Sequence, residues 1–117
     1  IGIMRKCSAS WNLNVCAQKA AVAGLADQEY YQAQKAKIVE GREYLEKEMA
    51  ALGCKVYPSQ SNFIYFDTGK DPAWIQEQLM DKGIRIGAFE MSRVSVGTME
   101  ECKLYIKALK EILEAAE

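Results

Sequence analysis

Ser92–Gly97, SRVSVG, carries the side chain best suited to chemistry. The alternation puts Val94 and Val96 on one face of a strand and Arg93 and Ser95 on the other. Valines that recur this way turn toward a core, so Arg93 projects from the opposite face of a rigid strand. A guanidinium held there can take a carboxylate or a phosphate through two parallel hydrogen bonds. Read from these residues alone, an ordinary solvated or salt-bridged arginine is the alternative.

Other chemistries lack their parts. The 117 residues contain no histidine, which removes Ser–His and Cys–His nucleophile pairs and the commonest general base. Cys7, Cys16, Cys54 and Cys102 are scattered without a C-x-x-C pair. Neither a zinc site nor a disulfide framework is indicated, and reduced thiols in a cytoplasmic protein are expected. Gly83-x-x-x-Gly87 lacks the lysine and the strand–helix setting of a phosphate loop. Fifteen basic residues balance sixteen acidic ones, so there is no field to hold nucleic acid or anionic lipid. No run is long and apolar enough to span a membrane, and there is no signal-peptide pattern. Any reaction must rest on lysine, carboxylate, tyrosine or a cofactor.

The elements that must position Arg93 are legible in order. IGIM at residues 1–4 reads as a buried strand cut from a larger sheet. A first helix is expected over Leu13–Ala26, capped by Asn12 or Asn14. Its many alanines suit close packing on more than one side. Asp27 caps a second helix, Gln28–Leu52, whose apolar stripe is Tyr31, Ile38, Leu45, Met49 and Leu52, with Gly53 at its end. Strands follow at Cys54–Tyr57 and Asn62–Asp67, around a turn at Pro58–Ser61. The second is apolar on both faces and so is expected to be central and covered on both sides. Asp71-Pro72 opens a third helix with Trp74, Ile75, Leu79 and Met80 inward and Gly83 at its close. Strands at Ile84–Gly87 and Ser92–Gly97 lead to a T-x-x-E capping box at Thr98 and Glu101. The last helix carries the chain's most regular apolar stripe, Cys102, Tyr105, Ile106, Leu109, Ile112, Leu113 and Ala116. The order α-α-β-β-α-β-β-α implies an α+β domain of two layers, with helices on one face of a small, mostly antiparallel sheet.

IGIM, WNLNVCAQKAAVAGLAD, EGREYLEKEMAALGCKVYPSQSNFIYF, DKGIRIG and SRVSVGTMEE, in that order and spacing, resemble the C-terminal third of fold-type I aminotransferases that use pyridoxal 5'-phosphate, in the histidinol-phosphate aminotransferase branch. The resemblance implies a small C-terminal domain over residues 13–117. Residues 1–12 would be a leftover large-domain strand and the crossing between domains. It also implies a homodimer acting on amino-acid and 2-oxo-acid substrates, with the chain's own N-terminal large domain as a further partner. Arg93 matches the family's carboxylate-binding arginine, Asn62 a supporting asparagine, and Trp11 and Asn12 an aromatic–Asn pair at the interdomain and dimer contact. No catalytic residue falls in this stretch: the resemblance puts the cofactor lysine upstream of Ile1, so the chain by itself is expected to be inactive and to bind the cofactor non-covalently at most. Gly87-Ala88 stands where histidinol-phosphate enzymes often carry another arginine, and Arg85 is not assigned that role. WNLN is similar to the related threonine-phosphate decarboxylases, which is one alternative. A non-catalytic interaction or ligand-sensing domain is another.

Overall fold

The computed structural model describes residues 13–116. The chain divides into two compact units, residues 1–34 and 35–117. In the first, Asn14 opens helix α1 (Val15–Ala26) by accepting the Ala17 N–H at 2.8 Å. Of the two caps considered it is Asn14 that serves, and Leu13 stays outside the helix. Asp27 ends α1 and begins α2 (Gln28–Ala51), its carboxylate accepting the Tyr30 N–H at 3.1 Å. No residue of α1 is buried; Val15, Val22 and Leu25 stand open. The close packing expected of its small residues is therefore not found among the described residues.

The second unit holds the sheet. Strands β1 (Lys55–Val56), β2 (Phe63–Asp67), β3 (Gly87–Ala88) and β4 (Ser92–Ser95) line up as β1-β2-β4-β3, antiparallel throughout. Helices α3 (Pro72–Asp81) and α4 (Met99–Ala115) complete the expected order and the α+β class. The central pairing sets Ile64 opposite Val94 and Phe66 opposite Ser92. All four are buried, and Ile64, Phe66 and Val94 share one core with Leu45 and Met49 of α2, Ile75 and Leu79 of α3, and Leu109 of α4. Each such large side chain contributes about 1.5–3 kcal/mol of apolar burial. Tyr105 crosses the Phe66 ring edge-on and donates its hydroxyl to Met49 Sδ at 3.7 Å. The Thr98–Glu101 capping box forms as expected, and Asp71 accepts the Ala73 N–H at 2.8 Å ahead of Pro72.

Four expectations are corrected. β2 is central, but only its Ile64–Phe66 face is fully buried; Phe63 and Tyr65 are half-buried, because the helices of this unit bury the other face. The strand expected at Ile84–Gly87 is displaced to Gly87–Ala88. Gly83, at φ +76°, closes α3 and lets the Ile84 N–H reach the Leu79 carbonyl at 2.9 Å. Gln76 Nε2 then donates to the Ile86 carbonyl at 2.7 Å, so α3 takes backbone groups that a neighbouring strand would have used. Met80 is exposed, one step round α3 from Leu79. Tyr31 is exposed as well, and within the α2 stripe only Leu45 and Met49 are fully buried, with Leu52 partly so.

Gly41 was silent in the sequence and is structurally demanding. α2 runs so close to the end of β4 that a Cβ on Gly41 would lie 2.8 Å from Val96 Cγ1. Gly41→Ala is expected to cost about 1–3 kcal/mol through overpacking, read as a lower urea midpoint with unchanged slope. Burial raises the Cys54 thiol from 9.0 to about 11, helped by the Asp67 carboxylate. The folded thiol thus keeps its proton at pH values where the unfolded one has lost it. That contribution to stability is present below pH 9.0 and declines as pH rises from 9.0 through about 11. Cys54→Ala should flatten that alkaline decline in the urea midpoint.

Candidate functional site

Arg93 leaves β4 on the face opposite Val94, with Tyr65 of β2 and Gly87 of β3 as its direct cross-strand partners. The order β2-β4-β3 lets aromatic rings approach from both flanks. The guanidinium carbon lies 5.2 Å from the centre of the Phe63 ring and 5.1 Å from that of Phe89, over both. Phe63 is steadied by an edge-on contact with Tyr65 at 5.7 Å. On the other flank Gly87 makes the arrangement possible: a Cβ there would sit 2.7 Å from Phe89 Cε2.

Arg93, Gly87 and Phe89 wall a cleft of about 500 Å³ whose lining also includes Arg85, Gln76 and Ser95. No acidic side chain among the described residues lines it. Among the described residues neither Arg93 nor Arg85 forms an ion pair; the pairs present are Arg42–Glu46, Lys82–Glu111 and Lys110–Glu114. The cleft is thus a cationic recess with an arginine already stripped of part of its water by two rings. It can bind an anion, and among the described residues its lining holds no lysine, cysteine or carboxylate, and no base to activate the Ser95 hydroxyl. The thiols nearest the core are no substitute, since burial pushes both Cys54 and Cys102 up.

Asn62 does not share that lining. It precedes β2, its carbonyl accepting the Val96 N–H at 2.8 Å and its side-chain oxygen the Ser61 hydroxyl at 3.3 Å. Trp11 and Asn12 lie outside the described residues. Three contributors went unread in the sequence: Phe89, Gln76 and Arg42. Arg42 is buried on α2 and donates Nη1 to the Ser61 carbonyl at 3.4 Å, bracing the turn that leads into Asn62 and Phe63. Its Nε faces Glu46 Oε1 at 3.8 Å, too long for a hydrogen bond. The only trace in the sequence was the i, i+4 spacing of Arg42 and Glu46.

The comparisons with known proteins agree with this architecture. The family model for aminotransferase class I and II matches residues 1–109. The chain is 35% identical over 109 residues to the histidinol-phosphate aminotransferase of Moorella thermoacetica, covering 88% of this chain and 28% of that protein. The crystal structure of histidinol-phosphate aminotransferase from Sinorhizobium meliloti in complex with pyridoxal-5'-phosphate superposes with a TM-score of 0.74 at 33% identity, over 84% of this chain and 29% of that one. A putative histidinol-phosphate aminotransferase from Erwinia carotovora atroseptica shares the fold with a TM-score of 0.80 at 22% identity, over 98% of this chain and 35% of that one. The chain belongs to the aminotransferase class I and II family. It spans roughly a third of the length of the relatives it matches.

Arg42 and Arg93 should separate cleanly by mutation. Arg42→Ala is expected to cost about 1–3 kcal/mol, because it strips a buried carbonyl of its donor and leaves Glu46 without its neighbour. Amide exchange at Asn62 and Phe63 should quicken. Arg93→Ala, outside the core, should leave the urea midpoint within about 0.5 kcal/mol of the parent.

Proposed function

We propose that this chain is the small C-terminal domain of a pyridoxal-phosphate-dependent aminotransferase of the histidinol-phosphate type, in which Arg93 anchors the carboxylate of the amino-acid and 2-oxo-acid partners. The observation that carries the reading is the Arg93 guanidinium, flanked by Phe63 and Phe89 at a cleft where, among the described residues, it has no ion pair and no acid lines the wall. A salt-bridged structural arginine would pair with a nearby carboxylate, and a merely solvated one would not be held between two rings. The planar guanidinium matches a carboxylate through two hydrogen bonds, which fixes the orientation of the bound acid as well as its position. The relatives matched favour transamination over the decarboxylase reading.

The described residues do not themselves suit the covalent attachment of that cofactor. Among the described residues the cleft lining holds no lysine, and every lysine is exposed. The role of this chain is therefore to bind and orient the acid group, while attachment of the cofactor falls to other residues. In the same reading, residues 1–12 cross from a large N-terminal domain, Trp11 and Asn12 meet the second subunit of a homodimer, Asn62 supports the substrate site, and the protein works in the cytoplasm.

In the full-length protein, Arg93→Ala should lower kcat/KM for substrates bearing an α-carboxylate by an amount equivalent to about 2–4 kcal/mol. Arg93→Lys should recover only part of it, since an ammonium keeps the charge and loses the planar match. Amines without the carboxylate should be affected far less. Unchanged turnover of amino acids by Arg93→Ala would overturn the assignment.

A further inference from the structure

Phe89 poses a question of its own. It is a large apolar side chain, 58% exposed, in the short connection after β3 and outside the core cluster. An exposed phenylalanine gains little from burial, yet this one lies folded back over Gly87 with its face under the Arg93 guanidinium. Gly87 is the direct cross-strand partner of Arg93, so the one position where a Cβ would push the ring away is also the position beside the arginine.

We propose that Phe89 is a positioning residue for Arg93, and that Gly87 is required to seat its ring. Phe63 alone, reaching diagonally from β2, can restrain the guanidinium on one flank only. With Phe89 on the other, the long arginine side chain is held before a ligand arrives, and both rings draw water from the group. A cation over an aromatic face is attracted by the ring's quadrupole, and more strongly where it is partly desolvated. Less rotamer freedom then remains to be lost when an acid binds. The nitrogens are left for the ligand, since no described residue hydrogen-bonds to them or pairs with them. This inference rests on the reading of Arg93 as a carboxylate anchor, and the experiment is chosen to tell the two apart.

The test uses the full-length protein and 3-phenylpropanoate, a carboxylate with no amine, titrated calorimetrically, with the urea midpoint followed in parallel. Phe89→Ala is expected to weaken probe binding about three- to tenfold, with Gly87→Ala following it because the displaced ring leaves the guanidinium. Phe89→Tyr, which keeps a ring face, should stay within about twofold of the parent. Urea midpoints of the two Phe89 variants should match the parent, which distinguishes positioning from a general loss of structure. If Phe89→Ala binds the probe like the parent while Arg93→Ala abolishes binding, the positioning role is wrong and the carboxylate anchor stands. If Phe89→Tyr loses as much as Phe89→Ala, the ring face is not what acts, and the proposal fails. If Arg93→Ala itself leaves binding unchanged, the anchor reading falls and the positioning role with it.

Discussion

The antiparallel pairing of β2 with β4 is the constraint from which the rest of the second unit follows. Once Ile64 faces Val94 and Phe66 faces Ser92, the period of two leaves no freedom in where the remaining side chains go. Ile64, Phe66 and Val94 meet the helices; Phe63, Tyr65, Arg93 and Ser95 must share the other face. A slip of one residue would drive the arginine into the core and the valine into the cleft. The burial of three apolar side chains is thus what orients the cation, at no contact with it.

This dependence explains what could be read in advance. The SRVSVG pattern shows Val94 and Val96 facing a core and Arg93 as their opposite, because alternation is a local property of the chain; NFIYFD, apolar on both faces, does not say which of them is covered. The T-x-x-E box, the Asp71-Pro72 helix start and the last helix's stripe were equally local and equally legible. Ile84–Gly87 looked like a strand for the same reason, and there local pattern misled. Whether Ile86 pairs with a strand or with a helix side chain depends on Gln76, ten residues away, and no periodicity encodes that bond.

The site divides along the same line. Arg93 was visible as a projecting cation; the groups that hold it were not. Phe89 reads as a loop aromatic until the register places Gly87 beside Arg93. Arg42 reads as one more charge on a charged helix until α2 is seen to lie against the Ser59–Asn62 turn, where the Ser61 carbonyl needs a donor. Asn62, to which sequence likeness gives a supporting role, accepts the Val96 N–H at its carbonyl and the Ser61 hydroxyl at its side-chain oxygen. Chemistry-bearing residue types can be recognised one at a time, whereas second partners need the fold.

The hydrogen bond from Gln76 to the Ile86 carbonyl also decides which parts of the cleft travel together. With Ile84 tied to Leu79 and Ile86 to Gln76, the segment bearing Arg85 is fastened to α3 at both ends. Arg93 hangs instead from the sheet, through its ladder partners on β2 and β3. The two cations that face one recess are nonetheless joined, since Gly87, the ladder partner of Arg93, follows Ile86 directly. The spacing between the two arginines is set from two sides, by the hydrogen bonds to α3 and by the β3–β4 ladder, so the recess presents its cations at a fixed gauge.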